Sequence, residues 1–144
     1  MSAQTVETMR NETSGVTPKL RTYGQIRGVT LSRETSANGG CTLDLSSPTM
    51  AMASHTTGYY VAGLHKPHMF DLKASDTRDY QYALGMAYAA TEGLGLMGTW
   101  VESGVVYAEA SEWYEDYETA MLVAKEREEL AVWDVANKVS IYVN

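Results

Sequence analysis

The segment that most constrains the fold is a pair of short strand-forming runs, Thr99-Trp100-Val101-Glu102 and Val105-Val106-Tyr107-Ala108, separated only by Ser103-Gly104. A two-residue connection between β-branched and aromatic runs closes into a tight hairpin and fixes its register. Glu102 then opposes Val105, Val101 opposes Val106 and Trp100 opposes Tyr107. The valines share one face and the aromatic pair shares the other, where such a pair adds up to roughly 1 kcal/mol. Large apolar groups on both faces require a cover on each, from a helix or from a partner. Antiparallel sheet layered with helices is the architecture that follows.

The remaining pattern fits that expectation. Asp76 can cap a helix running to about Thr91, with Tyr80, Ala83, Leu84, Ala87, Tyr88 and Thr91 at helical spacing and Gly93 and Gly95 as its stop. A second helix is expected from Asp116 to Glu129, with Tyr117, Ala120, Met121 and Ala124 as its buried stripe. Leu130–Val135 and Lys138–Val143 read as strands joined at Ala136-Asn137. Upstream, Tyr23–Glu34 reads as a short strand through Ile26, Val29 and Leu31. Ser36-Ala37-Asn38-Gly39-Gly40 is a turn signal, and Cys41–Leu45 alternates as a strand. Residues 46–57 read as a loop and Gly58–Leu64 as another strand. The expected fold is α+β, a mostly antiparallel sheet with two helices, forming a single domain over residues 23–144 after a polar arm at 1–22.

A chain of 144 residues suits one core. No run approaches the roughly 20 apolar residues of a membrane-spanning helix, and no basic-then-apolar leader opens the sequence. The single Cys41 fits a reducing compartment, so a cytoplasmic protein is expected. The net charge of -7 is localised: residues 1–101 hold 8 acidic and 8 basic groups, whereas residues 102–144 hold 10 and 3. Without clustered Lys and Arg, direct nucleic-acid binding is not expected. A basic protein partner is compatible with the charge.

Three constellations could carry chemistry. His65, His68 and Asp71 are spaced three apart and are of metal-ligating type, with His55 as a further ligand, but Pro67 breaks the helix that would align them. They define the alternative of a small enzyme or metal-binding protein; a polar loop holding two histidines is the plainer reading. Gly93-Leu94-Gly95-Leu96-Met97-Gly98 follows a helix and precedes a strand, the reverse of a phosphate-binding turn, so no nucleotide cofactor is implied. No Gly-x-Ser-x-Gly elbow is present, and Cys41 within an alternating strand reads as a small core residue. No catalytic residue is assigned.

The third constellation is acidic and aromatic. Glu109, Glu112, Glu115, Asp116 and Glu118 interleave with Trp113, Tyr114 and Tyr117. Like charges this close repel unless water or a basic partner screens them. Negative charge favoured at a helix N-terminus is the competing explanation. The chain also holds ten Tyr and three Trp against one Phe, a bias toward rings with one wet edge, as at interfaces. Trp100, Tyr107, Glu112, Trp113, Tyr114, Glu115, Asp116, Tyr117 and Glu118 are therefore the expected partner-binding residues, and a homo-oligomer is expected.

Gly98-Thr99-Trp100-Val101, Gly104-Val105-Val106-Tyr107, Ser111, Ala120, Ala131-Val132-Trp133-Asp134 and Ile141 together resemble small uncharacterised proteins of actinobacteria and their phages, over the last third to half of the chain. The resemblance implies an accessory gene of a phage or mobile element and a bacterial host cell, and it carries no activity. The expectation is a non-enzymatic accessory protein that binds, and can inhibit, another protein. The third alternative is a virion structural or decoration protein.

Overall fold

In the computed structural model, which describes residues 18–144, the hairpin is the spine of the molecule. Its strands are β4 (Leu96–Glu102) and β5 (Val105–Tyr114), in the expected register, Trp100 opposite Tyr107 and Val101 opposite Val106. Ser103 and Gly104 both take positive φ (53° and 78°), as a two-residue turn of this type demands. The other elements are α1 (Pro18–Asn38), β1 (Gly40–Asp44), β2 (Tyr59–Val61), β3 (His68–Asp71), α2 (Thr77–Thr91), α3 (Tyr117–Glu126), β6 (Ala131–Asp134) and β7 (Val139–Tyr142). The seven strands pair antiparallel in the order β1-β4-β5-β2-β6-β7, with β3 also paired to β5. The fold is α+β, a small domain with seven strands and three helices among the described residues.

Both expected helices are present, the first with its expected cap and the second capped by Asp116. Asp76 accepts from the Arg78 N–H, and Asp79 bonds back to the Asp76 N–H. Asp116 accepts from the Thr119 N–H at 2.8 Å. Two expectations are corrected. Tyr23–Glu34 is not a strand but the middle of α1, whose inner face presents Gly28, Leu31 and Thr35 to the rest of the molecule. His68–Asp71 is not a polar loop but β3, paired to Val105–Ala108. The expected arm at 1–22 lies outside the described residues as far as residue 17, and α1 begins at Pro18.

Two cores result. The larger lies between α1, α2 and strands β1, β4 and β5, built on Leu31, Leu43, Tyr80, Leu84, Met97 and Val106. The smaller lies beneath α3 and consists of Val61, Ala120, Ala124 and Val132. β5 is long enough to serve both. Its first half pairs β3, its last three residues pair β2, and connection 62–67 fills the gap between them. Among the described residues, no helix is long and apolar enough to cross a membrane.

Candidate functional site

The end of β5 carries Glu112, Trp113 and Tyr114. Trp113 faces Tyr60 across the β2 pairing, and Tyr60 in turn faces Trp133 of β6. Local backbone holds the indole in place. Its Nε1–H donates to the Thr57 carbonyl at 2.8 Å. Gly58, at φ +90°, lies so close that an added Cβ would fall 2.3 Å from Nε1. His55 stacks on the indole at 4.5 Å and 14°, and its Nδ1 meets the Tyr60 hydroxyl at 3.1 Å. An imidazole fixed by stacking and by one hydrogen bond is oriented in advance of any ligand.

Beside this cluster opens a cleft of about 340 Å³, lined by Asp44 and Ser46 from the end of β1, His55, the 94–96 connection, and Glu112, Trp113 and Tyr114. Two carboxylates line it and no Lys or Arg does. Asp44 Oδ1 accepts from the Ser46 N–H at 3.0 Å and its hydroxyl at 2.6 Å. Burial pushes the Tyr60 phenol up, and the Asp44 charge adds to this. Burial works to raise Glu112, but hydrogen bonds from Arg127 and Tyr114 prevail and hold its carboxyl below the usual range. The Arg127 guanidinium also donates to the carbonyls of Val61 at 3.3 Å and Ala62 at 3.2 Å. The Tyr114 phenol is raised by burial and by its bond to Glu112.

The nine expected partner-binding residues fall into three groups. Glu112, Trp113 and Tyr114 share the cleft. Glu115, Asp116, Tyr117 and Glu118 form the exposed turn into α3. There the Asp116 carboxylate is occupied by the Thr119 N–H and hydroxyl, which hold its pKa down, and Tyr117 packs edge-on against Tyr59. Trp100 and Tyr107 stack at 5.2 Å and 9°, six residues along β5 from Trp113, or roughly 20 Å at about 3.3 Å per residue. Met69 lies opposite Tyr107 and is 55% exposed. Glu109, part of the same acidic run, is buried at 5% exposure.

His65, His68 and Asp71 are not brought together. Alternation on β3 separates His68 from Asp71, and each of the three has other partners. His65 Nε2 accepts from the Ala110 N–H at 3.0 Å and its Nδ1 meets the Lys66 carbonyl at 2.7 Å. His68 packs against Phe70 and Tyr82, and Asp71 accepts from the N–H groups of Lys73 and Ala74. No group of three His, Cys, Asp or Glu suited to a metal occurs among the described residues. Burial raises the Cys41 thiol, which keeps it protonated and a poor nucleophile. Within the cleft the Ser46 hydroxyl bonds to Asp44, not to His55, so no activated serine is formed.

Sequence reasoning missed Asp44, Ser46 and Tyr60 as site residues and weighed His55 only as a fourth metal ligand. Asp44 and Ser46 meet Glu112–Tyr114 only through sheet pairing, and no local pattern signals that. No family model, no curated protein and no solved structure matches the chain.

Proposed function

We propose that this protein is a non-enzymatic binding protein that engages a basic segment of another protein, with the cleft receiving a Lys or Arg side chain and the 115–118 turn adding long-range attraction. The observation that carries this reading is the lining of the cleft: the carboxylate of Asp44, and that of Glu112 held by Arg127 from outside the lining, stand beside aromatic walls with no lysine or arginine among the lining residues. Such a lining favours an ammonium or guanidinium donor over an anion. The resemblance of the C-terminal half supports a phage or mobile-element setting, in which binding would inhibit a host protein.

The test is titration of ¹⁵N-labelled protein with a short Lys/Arg peptide and with its norleucine/citrulline counterpart, following the Trp113 indole N–H. The basic peptide is expected to shift that resonance saturably. Asp44→Asn and Glu115→Lys/Glu118→Lys should weaken binding by about tenfold or more. These positions are chosen because Glu112 and Asp116 hold Arg127 and the α3 cap, so charge reversal there would disturb the fold. Equal binding of the neutral peptide would overturn the reading.

A second reading, self-association, is favoured by the row Met69–Tyr107–Trp100, exposed at Met69 and Trp100 and half-buried at Tyr107. Light scattering after size exclusion should give a salt-resistant oligomer that Trp100→Ser/Tyr107→Ser converts to monomer. A monomeric wild-type protein at all salt concentrations would exclude this second reading.

A further inference from the structure

Glu109 sits in mid-β5 opposite Gly98, is 5% exposed, and its Oε1 is sealed from solvent without a hydrogen-bond partner. It lies where β5 exchanges one neighbour for the other, under the strap formed by residues 62–67. The strap is pinned at two places: the Ala110 N–H donates to His65 Nε2, and Arg127 donates to the carbonyls of Val61 and Ala62. Between these pins Gly63 takes φ +97°, and a Cβ there would meet Glu129 Oε2 at 2.9 Å. A second carboxyl therefore presses on the same strap.

The charged and titratable groups around Glu109 are His65 from the strap, Arg127 and Glu129 from the end of α3, and Glu112 further along β5. None neutralises it. Arg127 forms its ion pair with Glu112, and both His65 ring nitrogens are engaged. A buried carboxylate with one oxygen unpartnered and no cation beside it is costly, and a second one nearby adds repulsion. Placing a proton on the pair relieves both costs.

We propose that Glu109 and Glu129 form a proton-operated latch: with one proton held beneath it the 62–67 strap is closed, and loss of that proton lifts the strap from β5. Burial, then the Glu129 charge, push Glu109 up to about 7, with the Gly63 N–H opposing; burial likewise raises Glu129, tempered by Arg127. The closed form binds the proton more tightly, so closure is complete in acid and lost as pH rises through about 7. Lifting the strap also removes the Arg127 contact with the Ala62 carbonyl and the His65 bond to Ala110. This inference does not depend on the partner reading.

The test is hydrogen exchange of the Ala110 amide and of strap residues 63–66 in the full chain, corrected for intrinsic exchange, from about pH 5.5 to about pH 8.5. Protection is expected to fall about tenfold or more between those limits at the strap while amides of α2 hold theirs. Glu109→Gln should keep the strap protected across the range, and Glu129→Gln should move the Glu109 midpoint downward by removing the like charge. A pH-independent strap in the wild type, or a pH response that survives Glu109→Gln, would overturn the proposal. If Glu109→Gln does not fold, carboxyl ¹³C titration of the wild type decides, and a Glu109 midpoint in the ordinary glutamate range would also overturn it.

Discussion

Both ring nitrogens of His65 are used within the fold. Because the Ala110 N–H donates to Nε2, that nitrogen is the acceptor, so the proton sits on Nδ1 and points to the Lys66 carbonyl. The residue is a side-chain substitute for a missing strand, supplying the acceptor that β5 lacks between β3 and β2. His65→Ala leaves the Ala110 N–H without that acceptor, and the expected cost is about 1–3 kcal/mol, read from denaturant unfolding. His68→Ala removes ring contacts with Phe70 and Tyr82 but leaves no backbone donor orphaned, so its cost should be smaller. Added zinc is expected not to raise the Tm of the wild type, since a metal stabilises only a fold whose ligands converge. A zinc-dependent rise abolished by His65→Ala would restore the metal-binding reading.

At the level of elements, legibility in the sequence followed how locally each signal is encoded. The β4–β5 register was readable because a two-residue turn allows few pairings. α2 and α3 were readable because Asp76 and Asp116 are caps whose partners lie two or three residues away. α1 was not readable, because among the side chains described the buried ones are Gly28, Leu31 and Thr35, which make no continuous apolar stripe. Gly28 allows close approach to α2, where a Cβ would meet Gln81 Cγ at 2.5 Å. Thr35 is buried through its hydroxyl, 2.6 Å from that of Thr99 on β4. Val29, an apolar member of the expected strand, is 45% exposed. This helix is specified by tertiary contacts that hydrophobic periodicity does not register. The cleft divides the same way. Glu112–Tyr114 stand out as an acidic, aromatic run, whereas Asp44 and Ser46 reach it only after β1, β4 and β5 have paired in order.

For the whole molecule, the consequence of one strand serving two cores is unequal stability along it. Among the described residues the larger core buries twelve hydrophobic side chains, including Leu31, Leu84, Met97 and Tyr80, while the smaller buries four, two of them alanines. Each core also has six partly buried hydrophobics packed against it, Tyr59, Tyr114, Met121, Val123, Ile141 and Val143 at the smaller one; at about 25 cal/mol per Å² of apolar burial, the difference in fully buried side chains leaves the smaller core the lesser contributor. The α3–β6–β7 unit is therefore expected to open before the rest, as a sub-global step in native-state hydrogen exchange. Its amides should exchange at lower free energy than those of α2 and β4. Val132→Ala, which empties part of the smaller core, should cost about 1–2 kcal/mol and accelerate exchange in α3, β6 and β7 while leaving α2 unchanged. Uniform acceleration across all elements would instead mean one cooperative unit. The cleft lies on this seam, with Asp44 and Leu96 contributed by the larger core's strands and Glu112–Tyr114 by the part of β5 that pairs β2. A ligand spanning both sides must then slow opening of the smaller unit, which makes the same exchange experiment a readout of occupancy that needs no assay of activity.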